Sequence, residues 1–243
     1  EDADCHYISA ASGENWHALV CRCVDLNIGG FENLALIPGT VGAAPIQNIG
    51  AYGVEVSKFI TEIEYFDLKD KSLKIICTED CQFGYRESIF KHQLRDVAFI
   101  TKVMFRLPKQ YEYVVNYGEL AALKVPSIES IFQTVIKIRE NKLPDPRNVG
   151  NAGSFFKNPI VPINIFTRLQ NEYEDIPHYL VSNTHVKIPA AWLIERLGFK
   201  GQIHEGIQCH PQQALVLTNY ASGTGRALIN FAKQIKAAVF KRF

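Results

Sequence analysis

The sequence lacks three features that would indicate a nucleic-acid-binding, membrane or secreted protein. Its 26 Lys and Arg against 25 Asp and Glu leave a net charge of +1, without the basic excess typical of nucleic-acid binding. No apolar run approaches the ~20 residues that cross a bilayer. The first residues, from Glu1 to Asp4, are acidic, unlike the basic start of a signal peptide. We therefore expect a cytoplasmic protein with neither nucleic acid nor membrane as a partner.

The cysteines lack the spacing of a metal site. Cys21 and Cys23 stand one residue apart and Cys77 and Cys81 three apart, whereas structural zinc sites typically use Cys-x-x-Cys. Cys23 lies on the apolar face of a predicted helix, where a free thiol acts as a small hydrophobic side chain. We expect structural thiols in a reducing compartment and no bound metal.

The first half of the chain alternates strand and helix signals. At 243 residues, with 47% hydrophobic and 21% charged residues, the chain suits one large or two small globular domains. Apolar periodicity predicts strands over 5–11, 60–66, 73–77 and 97–107, the middle two as a hairpin, and a helix over about 14–26. Thr78 is a candidate cap for a short helix. This block is α+β with antiparallel pairing.

The second half begins after a loop that carries Tyr111, Tyr113 and Tyr117. Ser127 is expected to cap a helix with one apolar face, and Pro144 and Pro146 cannot continue that helix. We therefore place a domain boundary after residue 146. The face of this helix consists of Ile128, Ile131, Phe132, Val135 and Ile138. Beyond the boundary we predict a helix over 190–197 closed by Gly198, a strand over 214–218 and a last helix capped by Thr224.

The most informative segment is NAGSFFKNP at residues 151–159. It is predicted to be a small-residue turn that holds the hydroxyl of Ser154 and is followed by two aromatic residues. Neither a basic residue nor a His adjoins Ser154, so a Ser–His nucleophile is not indicated. Such a hydroxyl can instead deliver a proton to a carbon atom. The alternative is a surface turn before Pro159, and the segment taken alone favours that alternative.

A second segment, LIPGTVGAAPIQNIGAYG at residues 36–53, is long, uncharged and rich in Gly and Ala. We call it the glycine loop. Its unshielded N–H groups let a phosphate oxygen approach the backbone. Pro45 suits the first turn of a short helix whose N-terminus would favour an anion. The loop matches neither the dinucleotide fingerprint nor a P-loop, and a tightly packed turn is the alternative.

Together with FGYRESIFK at 83–91 and KLPDP at 142–146, these segments resemble the UDP-N-acetylenolpyruvoylglucosamine reductase (MurB) family, in the family's order from about residue 13 onward. The resemblance implies an α+β fold, with the second lobe of a PCMH/VAO-type FAD-binding domain over 1–146 and a smaller α+β substrate-binding domain over 147–243. Members also have an N-terminal flavin-binding lobe and a C-terminal strand with a catalytic glutamate. Finding neither, we expect a fragment that is partial at both ends.

The resemblance also implies an activity, its cofactors and two catalytic residues. The family uses FAD and NADPH to reduce the enolpyruvyl group of UDP-N-acetylglucosamine enolpyruvate, giving UDP-N-acetylmuramate for peptidoglycan. Ser154 would donate the proton. Arg86 would stabilise the charge that develops beside the substrate carboxylate, because a guanidinium offers a planar fork to a carboxylate. The alternative for Arg86 is a surface arginine paired with Glu87. A monomer is expected.

The remaining site residues are implied by the resemblance alone. It places the substrate along Tyr117, Lys142, Asn158, Tyr179, Lys187 and Gln213. It places FAD at Ile37, Pro38, Gly39, Gly42, Ala43, Ala44, Ile49, Gly50, Ala51, Tyr52 and Arg139. Some relatives have serines where this chain has Ala43 and Ala44, so backbone N–H groups are expected to bind the flavin pyrophosphate here.

Solvated lysines and half-buried tyrosines are the alternative interpretation of the substrate residues. Two other functions also stay open. One is another FAD oxidoreductase of the same superfamily, such as an oxidase; Ser154 and the Tyr117 loop argue against it, because an oxidase needs a base at the substrate carbon. The other is an inactive UDP-sugar-binding fragment.

Overall fold

The computed structural model describes residues 1–151 and 153–243, which form two compact units. The first comprises residues 1–139 and the second residues 140–243. The division lies close to the KLPDP segment, after which the sequence analysis places its domain boundary. In the described part of the chain, no helix combines the length and apolar character needed to span a membrane.

The first unit is built on a four-stranded antiparallel sheet. Its elements are β1 (Cys5–Ala11), α1 (Trp16–Asp25), β2 (Gly50–Ala51), β3 (Val54–Glu55), β4 (Ile60–Asp67), β5 (Ser72–Cys77), β6 (Ala98–Pro108) and α2 (Ile128–Lys142), whose last turn lies beyond residue 139. The strand order is β1-β6-β4-β5, and β2 and β3 form a separate two-stranded hairpin. The predicted strands and the β4–β5 hairpin are confirmed.

The helix α1 begins where Asn15 caps it, with the side-chain oxygen of Asn15 accepting from the N–H of Ala18 at 2.9 Å. Trp16, Val20 and Cys23 are buried on its inner face. The indole N–H of Trp16 donates to the carbonyl of Leu34 at 2.9 Å, so the buried ring has a polar partner. The predicted apolar face is confirmed, and the cap at Asn15 was not predicted.

The helix α2 begins at the predicted cap. The hydroxyl of Ser127 accepts from the N–H of Ser130 at 3.1 Å, while the hydroxyl of Ser130 accepts from the N–H of Ser127 at 2.8 Å. This reciprocal pair satisfies N–H groups that the first helical turn leaves open. The predicted face is confirmed, because all five of its residues are buried.

The second unit contains two small antiparallel sheets. Its elements are β7 (Asn151–Ser154), β8 (Ile160–Pro162), α3 (Ile163–Glu172), β9 (Tyr179–Leu180), β10 (His185–Lys187), α4 (Ala190–Arg196), β11 (Ile203–His204), β12 (Ile207–Cys209), β13 (Val216–Asn219) and α5 (Gly225–Arg242). The strand orders are β8-β10-β9 and β11-β12-β13-β7. Thr224 caps α5 by accepting from the N–H of Ala227, and Gly198 follows α4 at φ +76°, both as predicted.

Two local predictions are wrong. No helix begins at Pro45: the 3-10 turn Val41–Ala43 ends before it, and residues 44–48 form turns, so no helix N-terminus points from this place. Thr78 is the first residue of the 3-10 turn Thr78–Cys81 rather than its cap. Its hydroxyl donates to the carbonyl of Ile60 and not to the turn. That bond ties the turn to the first residue of β4.

Candidate active site

The start of the glycine loop presents unpaired backbone donors. Within the described residues, the N–H groups of Ile37, Gly39 and Thr40 donate to no protein acceptor. Gly39 has φ +114°, which a side chain rarely adopts, and a Cβ placed there would meet nothing within 4 Å. Three N–H groups within four residues are therefore open to an incoming anion.

The middle of the glycine loop is held against β1. The N–H of Gly42 donates to the carbonyl of Ser12 at 2.9 Å, and a Cβ at Gly42 would collide with Ser12. The N–H groups of Ala43 and Ala44 donate to the carbonyl of Thr40. Because these two donors are used inside the loop, the open ones lie earlier, at residues 37–40.

Arg86 is fastened to the far end of the same loop. Its Nη1 donates to the carbonyl of Asn48 at 3.2 Å, and its Nη2 donates to the carbonyl of Gly50. Nη1 also lies 3.8 Å from a carboxyl oxygen of Glu55, and the side chain is 28% exposed. Arg86 itself adopts φ +56°. Its guanidinium thus contacts the backbone of the glycine loop, and the role of Arg86 toward the substrate stays a prediction.

Asn48 supports this arrangement and was missed by the sequence analysis. The residue is only 1% exposed. Its amide donates to Glu55 at 2.9 Å and to the carbonyl of Gly84 at 3.0 Å, and its oxygen accepts from the N–H of Ser57 at 3.1 Å. One side chain thus joins the glycine loop, the β3 hairpin and the segment that carries Arg86. The only sequence signal for it is a polar amide within a loop that consists mainly of apolar residues.

Arg139 reaches the start of the glycine loop from α2. Its Nη2 donates to the carbonyl of Leu36 at 3.2 Å, while the N–H of Leu36 donates to Nδ1 of His17 at 3.2 Å. Leu36 has φ +56°, which is a strained conformation for a residue with a side chain. Hydrogen bonds hold both its N–H and its carbonyl in this conformation. Burial lowers the pKa of Arg139, and its Nε has no hydrogen-bond partner within the described residues.

Tyr52 and Tyr117 bring the glycine loop together with the segment 111–117, which we call the tyrosine loop. Their rings pack edge to face with centroids 6.1 Å apart. Tyr117 is about half exposed and directly precedes the 3-10 turn Gly118–Ala122. Tyr117, a predicted substrate residue, therefore lies beside the predicted cofactor loop within one compact unit.

A cavity of about 760 Å³ adjoins the glycine loop. It is lined by Thr40, Ala43 and Ile46 from the loop and by Phe90 and Ile100 from the β-rich part of the unit. This volume is in the range of ligand pockets. With the open N–H groups at residues 37–40 and the unpaired Nε of Arg139, the residues of this unit fit FAD.

Ser154 lies at the end of a strand and not in the turn that the sequence predicts. It pairs with Val216 of β13, and the N–H of Phe155 donates to the carbonyl of Leu215 at 2.7 Å. Gly153 has φ +68°, so the strand kinks immediately before the serine. The side chain of Ser154 is exposed, and its hydroxyl has no protein partner among the described residues.

Three predicted substrate residues lie on or beside the sheet β8-β10-β9. Lys187 on β10 pairs with Tyr179 on β9, and its ammonium lies 5.7 Å from the centre of the tyrosine ring. The amide oxygen of Asn158 accepts from the N–H of Ala190 at 2.9 Å and so fixes the start of α4. The N–H of Ile188 donates to the carbonyl of Pro159, which holds the two segments side by side.

Gln213 and Lys142 occupy separate positions in the second unit. The carbonyl of Gln213 accepts from the N–H of Val216 at 3.0 Å, so Gln213 begins the turn into the strand that pairs with Ser154. Lys142 is the last residue of α2 and is exposed. Within the described residues no cluster of three His, Cys, Asp or Glu is placed to hold a metal.

Two family models match the chain. An FAD binding domain matches residues 1–74, which include the glycine loop. The C-terminal domain of UDP-N-acetylenolpyruvoylglucosamine reductase matches residues 145–243, which include Ser154, Lys187 and Gln213. The fold and the matches therefore define a flavin-binding oxidoreductase with an FAD-binding domain followed by a second α+β domain, as the sequence analysis expects.

Related proteins make the assignment specific. The UDP-N-acetylenolpyruvoylglucosamine reductase of Pseudoalteromonas atlantica is 56% identical over 244 residues, which cover all of this chain and 71% of that protein. The Haemophilus ducreyi enzyme of the same name is 46% identical, again over all of this chain and 71% of the relative. The chain belongs to the UDP-N-acetylenolpyruvoylglucosamine reductase family.

A solved structure agrees with the fold. The crystal structure of MurB from Thermus caldophilus matches with a TM-score of 0.66 at 19% identity, over 95% of this chain and 68% of that one. At this identity the match bears on the fold alone.

Proposed function

We propose that this chain performs the family reaction, the NADPH-dependent reduction of the enolpyruvyl group of UDP-N-acetylglucosamine enolpyruvate to UDP-N-acetylmuramate. Bound FAD supplies the hydride that NADPH provides. The observation that carries the proposal is the attachment of Arg86 to the glycine loop, because it places a fixed cation beside the residues that fit the cofactor.

Arg86 is proposed to bind the substrate carboxylate. When hydride reaches the outer carbon of the enolpyruvyl group, negative charge develops on the carbon that bears the carboxylate. A guanidinium has five N–H donors, and the carbonyls of Asn48 and Gly50 accept from two of them, although Nη1 also lies 3.8 Å from a carboxyl oxygen of Glu55. Because the backbone fixes the cation in advance, little reorganisation is needed as the charge forms.

Ser154 is proposed to donate the proton to that carbon. Its exposed hydroxyl has no protein partner among the described residues, which leaves it available to a substrate. A serine is a weak acid, so it needs a developing carbanion as the acceptor. General acid catalysis of this kind contributes roughly 10²–10⁴ in rate.

The nucleotide sugar is proposed to bind along Asn158, Tyr179 and Lys187, with Lys142, Gln213 and Tyr117 as further contacts. The paired Lys187 and Tyr179 support this proposal, because a cation beside an aromatic face suits a diphosphate next to a ring. A cytoplasmic monomer is part of the proposal. All six cysteines are free, which suits a reducing compartment.

Titration of the purified chain with FAD is the first test. We expect bound flavin with a shifted absorbance spectrum and NADPH oxidation that depends on the enolpyruvyl substrate. Arg86→Met should lower the rate of substrate reduction by roughly 10²-fold, whereas Arg226→Met, an exposed arginine in the first turn of α5, should leave it unchanged. Thermal protection by a UDP-sugar without any change in flavin absorbance would instead favour a sugar-binding module.

Ser154→Ala separates the two half-reactions. We expect NADPH to reduce the bound flavin at the normal rate while reduction of the enolpyruvyl group slows by at least ~10². Ser72→Ala, at an exposed position on β5, is the matched control. If both half-reactions of Ser154→Ala proceed normally, Ser154 is not the proton donor.

A further inference from the structure

A buried amide joins the two functional loops of the first unit. Asn33 lies in the 3-10 turn Glu32–Leu34 and is 1% exposed. Its Nδ2 donates to the carbonyl of Tyr52 in the glycine loop at 3.0 Å and to the carbonyl of Val114 in the tyrosine loop at 2.8 Å. Both protons of one NH₂ group are thereby used, one on each loop.

The surrounding contacts hold the tyrosine loop against the turn that carries Asn33 and against the end of the glycine loop. Glu32, next to Asn33, accepts from the hydroxyl of Tyr111 at 2.7 Å and from the N–H of Gly30 at 2.6 Å. Burial, with the adjacent Glu32, raises the pKa of Tyr111, so its hydroxyl stays protonated and can donate. A Cβ on Gly53 would lie 2.8 Å from a methyl carbon of Val114, so the loops approach as closely as glycine allows.

We propose that Asn33 is a positioning residue that couples the two loops, so that occupation of the glycine loop by flavin restrains the tyrosine loop and sets Tyr117 for the substrate. The inference rests on the proposed function, because it takes flavin and nucleotide sugar as the occupants. The side-chain amide of Asn33 is the element that the two loops share. Val114, which accepts one of its hydrogen bonds, lies 81 residues further along the chain.

A coupling role differs measurably from a stabilising one. If Asn33 only stabilises the unit, its loss lowers the melting temperature and leaves the response of one loop to the other unchanged. If it couples the loops, flavin binding in the wild type slows amide exchange in residues 111–117. This protection is then lost when the side-chain amide of Asn33 is removed. Coupling between sites is reciprocal, so substrate should also tighten flavin binding in the wild type.

The test compares Asn33→Leu, which keeps a similar volume without a donor, with the wild type by hydrogen exchange in the presence and absence of FAD. We expect FAD to bind both proteins and to protect residues 111–117 in the wild type. In Asn33→Leu this protection should fall about tenfold, as for loss of a buried hydrogen bond. The KM for the nucleotide sugar should rise about tenfold, with a smaller change in kcat.

Thr218→Val is the matched control, since Thr218 is a buried polar residue of the second unit whose hydroxyl donates to a carbonyl. It should lower stability without affecting exchange in the tyrosine loop. Flavin binding that leaves wild-type exchange in residues 111–117 unchanged would overturn the inference while the proposed function stands. So would equal responses in Asn33→Leu and the wild type. Failure of FAD to bind the wild type would overturn the proposed function and this inference with it.

Discussion

Gly50 packs against the guanidinium of Arg86. A Cβ at position 50 would stand 2.8 Å from Nη1 of Arg86 and 2.9 Å from the carbonyl oxygen of Val54. The cation therefore reaches the carbonyl groups of the glycine loop only because position 50 has no side chain. The family resemblance assigns Gly50 to the cofactor; the contact gives it the additional role of setting the place of Arg86.

Gly50→Ala should accordingly displace Arg86 without unfolding the unit. The backbone at this position does not need a positive φ, so alanine adds a steric conflict rather than dihedral strain. We expect flavin to bind while the rate of enolpyruvyl reduction falls by roughly 10²-fold, as when a preorganised electrostatic group is moved from the reacting atoms.

Steady-state NADPH oxidation checks this prediction, and Gly225→Ala is its control. A Cβ at Gly225 would meet nothing within 4 Å, and the residue starts α5. Gly50→Ala with wild-type kinetics would mean that the guanidinium finds an equivalent position, and the proposed role of the fixed cation would be lost.

Asn48→Asp should destabilise the first unit. The replacement has the same shape but no donors, so the carbonyl of Gly84 loses its partner and the carboxyl of Glu55 faces a second carboxyl. We expect the free energy of unfolding to fall by about 1–3 kcal/mol, the range for a buried polar group left without its partner. Urea denaturation measures it, and Asn148→Asp, at an exposed position, should change it by less than ~0.5 kcal/mol.

The elements set by local pattern were predictable from the sequence. The face of α2 repeats at helical spacing, and the turn between β4 and β5 is short and polar, so both follow from neighbouring residues. The pairing of Ser154 with Val216 joins residues 62 positions apart and leaves no local trace. The segment around Ser154 therefore looks like a turn, although it is the edge of a sheet.

The site was predictable only where resemblance supplied it. Asn33 and Asn48 are single amides in apolar surroundings, and their partners come from segments far along the chain. A sequence pattern cannot distinguish such residues from ordinary loop asparagines. The same reasoning explains the error at Pro45: proline favours a first helical turn, but hydrogen bonds to Glu14 and Ser12 had already fixed the preceding turn.

His17 predicts a loss of stability in mild acid. Burial, followed by the charge of Arg139, lowers its pKa below the ordinary value of 6.5, and its Nδ1 must stay unprotonated to accept from Leu36. Below pH 6.5 the unfolded chain therefore binds a proton that the folded chain does not. The free energy of unfolding should decrease as pH falls from 6.5 toward the folded pKa.

Urea denaturation at several pH values between 7 and 5 checks this sign, with His17→Gln expected to flatten the curve. Burial also lowers the pKa of His210, so His210→Gln should remove a second part of the slope in the same direction. Stability that rises on acidification, or a slope unaffected by His17→Gln, would contradict the assignment.

The cysteines should differ sharply in their reaction with a thiol reagent at pH 8. Cys77 is exposed, whereas burial raises the pKa of Cys23 and of Cys81 to about 12 and that of Cys209 to about 11. Only a thiolate reacts, so Cys23, Cys81 and Cys209 combine low access with a negligible thiolate fraction. Cys77 should therefore be modified first and account for the fast phase of the reaction.

Cys77→Ser should remove that fast phase, and the buried thiols should react only at the rate of unfolding. The half-buried Cys21, whose pKa burial also raises, should react at an intermediate rate. Mass spectrometry of the labelled peptides identifies each site. Early labelling of Cys81 would show that the turn at Thr78–Cys81 opens in the folded protein, against the bond that ties Thr78 to Ile60.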